Sequence, residues 1–164
     1  MTLSHVISIA MLAMPIFAAL PVVPAKDQSA FLKSSDAKLK ANKKIAYDFY
    51  RIVLQGRQLD QADKYMKEDY IQHNPNAETG IQGFKDYFSK LGPSKTGVPA
   101  TLPGLVAIQA EGDYVNLTFV REYPDPANPG QTYTTTWFDM FRIENGKIAE
   151  HWDCATKAAP AAKK

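Results

Sequence analysis

The chain has 164 residues, of which 45% are hydrophobic and 22% charged, and its formal net charge is +2. These values are ordinary for a globular protein and allow one core of moderate size. The small net charge, with lysines scattered along the chain, argues against a nucleic-acid-binding protein. A single cysteine, Cys154, excludes an intramolecular disulfide and a cysteine zinc motif, so stability must come from packing.

The N-terminus has the composition of an export signal. Residues 1–25 contain no Asp, Glu, Lys or Arg, and the apolar run 6–20 is too short and too proline-interrupted to span a bilayer. We predict a signal peptide over 1–25, cleaved after Ala25, with Ala18 or Ala19 as other cleavage positions. The mature protein would then be periplasmic or secreted, without membrane contact. Because no Lys or Arg precedes the apolar run, an uncleaved membrane anchor is the alternative.

The rest of the chain divides into three parts. Residues 26–40 are polar and predict a linker that runs into a first helix near Asp36. Residues 41–157 form the predicted domain, and residues 158–164 a disordered tail.

The first half of the domain has helical periodicity. Apolar residues in 41–55 recur at spacings of three and four, which predicts an amphipathic helix that ends at Gly56. The same spacing predicts a short helix over 59–66 and a third helix over 80–91.

The second half changes to the composition of strands. After an extended segment at 69–73 and a turn at 74–76, β-branched and aromatic residues dominate four further segments. The predicted strands of this antiparallel meander are 105–110, 114–123, 131–143 and 147–154, with a proline-rich loop at 124–130. The predicted fold is α+β: a cone-shaped barrel in which helices pack on a strongly curved antiparallel sheet and enclose a pocket.

Ionisable residues interrupt the last predicted hairpin. Asp139, His151 and Asp153 stand among large aromatic residues, where charged groups are costly to bury unless they pair with one another or with a ligand. A carboxylate in such surroundings could abstract a proton next to a carbonyl group. Asp139 could equally hold His151 or Arg142 in place without touching a ligand.

The register of this hairpin decides which side chains share a face. A two-residue type I′ turn at Asn145-Gly146 would place Phe138 opposite Asp153 and turn Asp139 to the other face. A three-residue loop with a G1 bulge would pair Asp139 with His151 and Trp137 with Asp153. We favour the bulged loop because it gives buried charges one another as partners.

A second candidate segment lies before the turn at 74–76. His73 follows a short extended segment, and an imidazole near a carboxylate could transfer protons close to neutral pH. A metal site formed by His73, His151 and a carboxylate is conceivable. No ligand spacing supports one, so we expect neither a metal nor another cofactor.

Three segments together resemble the SnoaL-like polyketide cyclase group of the nuclear transport factor 2-like superfamily. They are Tyr70-Ile71-Gln72-His73-Asn74-Pro75, Gly80-Ile81-Gln82-Gly83-Phe84 and the run from Asp139 to Asp153. The resemblance implies a cone-shaped α+β barrel and cofactor-free chemistry on a small molecule. It implies that Asp153 is the acid and base of an intramolecular aldol closure and that Asn74 lines the cavity. Asp139 stands where the cyclases carry a pocket histidine.

These considerations give the expected site. The catalytic candidates are Asp153, His73 and Asp139, and the ligand-binding candidates are Asn74, His151, Trp137, Phe141, Phe49 and Tyr87. The expected function is an exported, cofactor-independent lyase, isomerase or cyclase acting on a small carbonyl compound. The alternatives are a non-catalytic module that binds a small hydrophobic ligand and an epoxide hydrolase of the same superfamily.

The outer face of the sheet is the expected surface for self-association. Trp152 and Cys154 are large or apolar and alternate with the inward-facing positions of their strand. A sheet face that helices do not cover tends to be buried by another copy of the chain, so we predict a homodimer through this face.

Overall fold

The computed structural model of the protein describes residues 19–159. Most of the predicted signal peptide, and the end of the predicted tail, lie outside the described residues. Three α-helices and five β-strands follow one another in the described part. The helices are α1 (Ala37–Phe49), α2 (Ala62–Tyr65) and α3 (Ile81–Ser89), and the strands are β1 (Met66–Gln72), β2 (Leu105–Glu111), β3 (Tyr114–Pro124), β4 (Thr132–Glu144) and β5 (Lys147–Asp153).

The first helix begins where the sequence predicts. The Asp36 side chain accepts a hydrogen bond from the Leu39 backbone N–H at 3.0 Å, which caps α1. The helix then continues without a break into a π-helical turn over Tyr50–Gln55 and ends at Gly56. A helix over 41–55 is therefore confirmed, but the apolar spacing did not reveal its change to π geometry at Tyr50, since π turns insert one residue into an otherwise regular helix.

The five strands form one mixed, open sheet in the order β1-β5-β4-β3-β2. Strands β2 to β5 are antiparallel neighbours, as the sequence predicts, whereas β1 pairs with β5 in parallel. The α+β class is confirmed, with two corrections. The sheet is not purely antiparallel, because the extended segment before the 74–76 turn joins it as a parallel edge strand. The sheet also does not close into a barrel, because its edge strands β1 and β2 do not pair with each other.

Helices cover one face of the sheet. Helix α1 contacts β2, β3 and β5, and α3 contacts β1. The core between these layers includes fully buried side chains from both, among them Phe49, Val53, Phe84, Leu117, Phe141 and Ile148. No helix within residues 19–159 has the length and apolar character needed to cross a membrane.

The segment predicted to be a linker lies against this domain. The Gln28 side chain donates to the Leu102 carbonyl at 2.7 Å, and its oxygen accepts from the Leu102 N–H and the Tyr47 hydroxyl. Phe31 and Leu32 pack against the core. Because Gln28 joins two separate parts of the domain, this segment is docked along it.

The β4–β5 hairpin has a register that neither prediction anticipated. The turn is the two-residue type, with Glu144 opposite Lys147 and positive φ values of 51° at Asn145 and 75° at Gly146. The favoured three-residue loop is therefore wrong. Asp139 pairs directly with Asp153, not with His151.

A bulge two residues beyond the turn explains this register. Arg142 lies opposite Glu150 while Ile143 lies opposite Ile148, so Ala149 is an extra residue in β5. The bulge moves the rest of β5 by one position relative to β4. It thereby returns Asp139, Phe141, His151 and Asp153 to one face of the sheet, the face that the helices cover.

Candidate functional site

A cavity of about 300 Å³ opens between the helices and the inner face of the sheet. Aromatic side chains dominate its wall, and polar side chains from β1, β4 and β5 meet on one side of it. The lining residues are Phe49, Tyr50, Leu54, Gln55, Arg57, Tyr70, Gln72, Asn74, Ala77, Phe84, Tyr87, Phe88, Leu91, Arg121, Trp137, Asp139, Phe141, His151 and Asp153. Apolar walls with a few convergent polar groups are typical of small-molecule sites.

A buried histidine–carboxylate pair forms part of this wall. His151 Nε2 lies 3.0 Å from Asp139 Oδ1, and the Tyr50 hydroxyl donates to Asp139 Oδ2 at 3.1 Å. The His151 ring stacks on Phe141 with 4.8 Å between ring centroids, which fixes the plane of the imidazole. Tyr50 reaches Asp139 from the first residue of the π-helical turn.

Hydrogen bonds determine how many protons this pair holds. Gln72 Oε1 accepts the Asn74 backbone N–H at 3.0 Å, so the amide oxygen of Gln72, and not its nitrogen, faces His151 Nδ1 at 2.9 Å. His151 Nδ1 must therefore carry a hydrogen. The contact between His151 Nε2 and Asp139 Oδ1 then needs one further proton, which either partner can hold. The pair is consequently electrically neutral as a unit.

Asp153 forms a separate polar group beside the pair. Its Oδ2 accepts from Asn74 Nδ2 at 2.6 Å and its Oδ1 accepts from the Ala155 backbone N–H at 2.8 Å. Asn74 is itself fixed, because its Oδ1 accepts the Asn76 N–H at 2.9 Å. Two N–H donors suit an ionised carboxylate, so Asp153 presents a negative charge to the cavity.

Two tyrosines next to these carboxylates stay protonated. Burial, together with the charge of Asp139 and the hydrogen bond to it, raises the pKa of Tyr50 well above its usual value. Burial, followed by the charges of Asp153 and Asp139, raises the pKa of Tyr70 in the same way. Tyr70 is only 2% exposed, and its hydroxyl has no hydrogen-bond partner among the residues that the structure describes. It is therefore an O–H donor available to a molecule in the cavity.

Comparison with known protein families assigns the chain to a defined family. Residues 46–151 match the family model described as the SnoaL-like domain. The chain belongs to the SnoaL-like family. No curated protein matches the chain significantly in sequence.

Solved structures support the same fold for this SnoaL-like protein. A candidate polyketide cyclase from Xanthomonas campestris pv. campestris is 17% identical, with a TM-score of 0.51, over 71% of this chain and 91% of that one. A candidate SnoaL-like polyketide cyclase from Jannaschia sp. CCS1 is 16% identical, with a TM-score of 0.50, over 74% of this chain and 91% of that one. At these identities the likeness establishes the fold alone.

Most of the residues selected from the sequence line the cavity of the SnoaL-like domain. Asp139 and Asp153 lie there among the catalytic candidates. All the ligand-binding candidates lie there as well: Phe49, Asn74, Tyr87, Trp137, Phe141 and His151. The structure thus brings residues from five separate segments of the chain to one cavity.

His73 is the exception, and its expected place in the site is wrong. Side chains alternate along an extended chain, and the neighbouring Gln72 and Asn74 both point into the cavity. His73 therefore points to the outer face, where its Nε2 lies 2.8 Å from Glu150 Oε1 and its ring stacks on Trp152.

The outer face holds a ladder of charges around this histidine. Arg142 donates to Glu150 at 2.8 Å and to Glu144 at 2.9 Å, and Lys67 donates to Glu144 at 2.6 Å. The hydrogen bond from His73, and next that from Arg142, lowers the pKa of Glu150. The carboxylates and the positively charged side chains of this ladder are therefore one another's hydrogen-bond partners.

Tyr50, Tyr70 and Gln72 are among the cavity residues that the sequence reasoning missed. Tyr70 and Gln72 belong to the same alternation as Asn74, so strict period-two counting back from Asn74 would have found both. Tyr50 could not be found in this way, because its direction depends on the π turn that begins there.

One cluster within residues 19–159 has the donor types of a metal site. Asp139, His151 and Asp153 each offer a ligand atom, and these atoms lie within 4.8 Å of one another. However, every side-chain nitrogen and oxygen of the three already has a protein hydrogen-bond partner. Both nitrogens of His151 are engaged in this network, so a cation would have to displace one of the two hydrogen bonds of the ring to use the imidazole as a ligand.

Proposed function

We propose that this SnoaL-like protein is a cofactor-independent lyase, isomerase or cyclase that acts on a small carbonyl compound by carboxylate general acid-base catalysis. The observation that carries the proposal is the juxtaposition of an ionised carboxylate, Asp153, and the unpartnered hydroxyl of the buried residue Tyr70 in one cavity with a largely aromatic wall. Proton abstraction next to a carbonyl needs these two groups, a base at carbon and a donor at oxygen.

In the proposed step, Asp153 takes a proton from the carbon next to the carbonyl group. The electron pair of the broken C–H bond moves to the carbonyl oxygen, which receives a hydrogen bond from the Tyr70 hydroxyl. The resulting enolate either attacks a second carbonyl carbon of the same molecule or, where it is conjugated with a carbon–carbon double bond, takes the proton back at the far carbon of that double bond. Asp153 returns the proton to the product, so the cycle is redox-neutral and balanced.

The surroundings of Asp153 support its role as the base. Asn74 and the Ala155 N–H fix its direction, so the carboxylate is positioned before the substrate enters. The Asp139–His151 pair, fixed by Tyr50 and Gln72, forms a rigid polar wall beside it. We assign this pair to orienting the substrate.

Proton exchange tests the step without knowledge of the natural product. In D₂O, the enzyme should catalyse loss of the α-proton NMR signals of 3-benzoylpropionate or a related small aromatic ketone. Asp153→Asn should lower the exchange rate by about 10³-fold or more while the ligand still binds.

Asp113→Asn is the matched control, since it makes the same chemical change at an exposed aspartate paired with Lys38. This variant should exchange at the wild-type rate. Unchanged exchange in Asp153→Asn would overturn the proposal. If wild type bound 3-benzoylpropionate or a related aromatic ketone tightly but catalysed α-proton exchange in none of them, the result would favour a non-catalytic binding module.

We also propose that the protein is exported. Support comes from the uncharged, apolar residues 1–25 and the small residues that end at Ala25. N-terminal sequencing of the mature protein should then begin at Lys26. A soluble protein that retains Met1 would contradict export.

Finally, we propose a homodimer through the outer face of the sheet. Tyr114 and Phe138 are 45% and 44% exposed on this face, and Trp152 lies near Tyr114. Exposed aromatic groups on an uncovered sheet face favour association with a second copy. Light scattering should give twice the monomer mass for wild type and the monomer mass for Phe138→Lys. A wild-type monomer at all concentrations would contradict the dimer.

A further inference from the structure

Two arginines that the proposed chemistry does not use line the same cavity. The Arg57 guanidinium lies 5.4 Å from the centroid of the Phe88 ring, and that of Arg121 lies 5.0 Å from the centroid of Trp137. Neither makes an ion pair with a carboxylate among the described residues. Stacking on an aromatic ring holds a guanidinium against an apolar wall. One Arg57 N–H donates to the Leu54 carbonyl, and the remaining N–H groups of both guanidinium groups have no protein hydrogen-bond partner among the described residues and can bind an anion.

The backbone at Arg57 gives a second reason to assign its side chain a role. Arg57 has a φ of 56°, directly after the helix end at Gly56, and the Gln58 N–H donates back to the Ile52 carbonyl at 3.2 Å. This is the position at which helices usually end in glycine, because a side chain is strained at positive φ. An arginine at this position therefore carries a backbone cost, which its hydrogen bond to the Leu54 carbonyl, its stacking on Phe88 and the binding of an anion would offset.

The charges of the cavity lining do not balance. The Asp139–His151 pair shares one proton and is neutral as a unit, as its hydrogen bonds require. Asp153 contributes one negative charge, whereas Arg57 and Arg121 contribute two positive charges. The lining therefore has an excess of one positive charge, which a ligand with one negative charge would neutralise.

We propose that the cavity binds a substrate with an anionic group, such as a carboxylate, held by Arg57 and Arg121. The evidence for the anion site comes from the two arginines alone. The statement that the same ligand also carries a carbonyl group at Asp153 and Tyr70 rests on the proposed function. The substrate class is then an amphipathic keto acid: an anionic end, an apolar body against the aromatic wall, and a carbonyl group at the polar side.

Two fluorescent probes that differ by one charged group test the anion site. They are 8-anilinonaphthalene-1-sulfonate and its neutral counterpart N-phenyl-1-naphthylamine. Wild type should bind the sulfonate at least about tenfold more tightly than the neutral probe. Arg57→Gly and Arg121→Gln should each weaken sulfonate binding about tenfold and leave the neutral probe within about twofold.

Lys38→Gln is the matched control, because it removes one positive charge far from the cavity lining. It should leave both affinities within about twofold. Arg57→Gly should melt near the wild-type temperature, since relief of the strain at positive φ offsets the lost hydrogen bond to the Leu54 carbonyl. Arg121→Gln provides an independent measurement at a position with ordinary strand geometry.

Equal wild-type affinity for the two probes would overturn the anion site. Equal weakening of both probes by the arginine variants would do so too, because it would show that the substitutions disturb packing and not charge. Asp153→Asn separates this inference from the proposed function. It should lose proton exchange yet bind the sulfonate at least as tightly as wild type, because one negative charge leaves the cavity. If Asp153→Asn retained proton exchange while the arginine variants still lost sulfonate binding, the mechanism would be rejected and the anion site would be supported.

Discussion

The two faces of the sheet carry the same pair of groups in different settings. On the inner face, His151 lies 3.0 Å from Asp139, and their side chains are 10% and 7% exposed. On the outer face, His73 lies 2.8 Å from Glu150, and their side chains are 41% and 17% exposed. Distance therefore does not distinguish the pairs, whereas burial and neighbours do.

The neighbours decide what each pair can do. Glu150 also binds Arg142 and belongs to a surface ladder in which positive and negative side chains pair with one another, so this pair does not form a ligand site. Asp139 instead accepts from Tyr50, and the pair borders a cavity that also contains Asp153 and the unpartnered hydroxyl of Tyr70. A histidine next to a carboxylate indicates a functional site only when the surroundings exclude water and leave space for a substrate.

The largest difference between the faces should appear when the carboxylates are removed. Asp139→Ala leaves the Tyr50 hydroxyl and a nitrogen of His151 unpaired in the interior, and should lower the free energy of unfolding by about 3–5 kcal/mol. Glu150→Ala leaves its partners in contact with water and should cost about 0–1 kcal/mol. Urea denaturation at neutral pH measures both values. Equal losses would show that the inner pair is not isolated from solvent.

A smaller effect should follow from acid at the outer face. His73 and Arg142 depress the pKa of folded Glu150 below the usual glutamate value of 4.5, so this carboxylate stabilises the fold above that pH. The contribution is lost as the pH falls from 4.5 through the depressed pKa. Glu150→Gln should therefore be less stable than wild type by up to about 1 kcal/mol at neutral pH, and this difference should be smaller at pH 3.

Urea denaturation at the two pH values tests this prediction. Glu68→Gln is the control, since Glu68 is exposed on β1 and has no ion pair among the described residues. Its difference from wild type should not change with pH. A Glu150→Gln deficit that persists undiminished in acid would refute the linkage.

The smallest effect should come from His73. Because this ring lies outside the cavity, His73→Ala should keep the wild-type rate of α-proton exchange and change the unfolding free energy by about 0.5–1 kcal/mol or less. This substitution removes the stacking on Trp152 and the hydrogen bond to Glu150. NMR exchange and urea denaturation of the same sample check both statements. Loss of exchange in this variant would move the chemistry to the outer face.

The sequence predicted the class of fold because local patterns determine it. Spacings of three and four located the helices, and alternation with turn residues located the strands of the meander. The two-residue turn at Asn145-Gly146 was the alternative that we did not favour, and the bulge at Ala149 contradicts the register drawn from that turn as well. A bulge depends on how two strands pack against the rest of the sheet, and no residue type in the sequence predicts its position.

The candidate site was also predictable only where local sequence patterns determine it. Residues on the last hairpin could be found from the sequence because polar groups among aromatic residues are conspicuous there. Asn74 was found only through the resemblance to the SnoaL-like group. His73 was misplaced by a single position in an alternating strand, since Gln72 and Asn74 are the inward residues. Tyr50 and Arg57 depend on the π turn and the left-handed helix end, which only the folded backbone reveals.

The most direct test of the central claim is a crystal structure of the protein with 3-benzoylpropionate. We predict that the ketone oxygen lies within hydrogen-bonding distance of the Tyr70 hydroxyl and that the adjacent methylene carbon faces Asp153. The carboxylate should lie at Arg57 and Arg121. A ligand bound on the outer face beside His73 and Trp152, or one in the cavity with its ketone turned away from Asp153, would contradict the account.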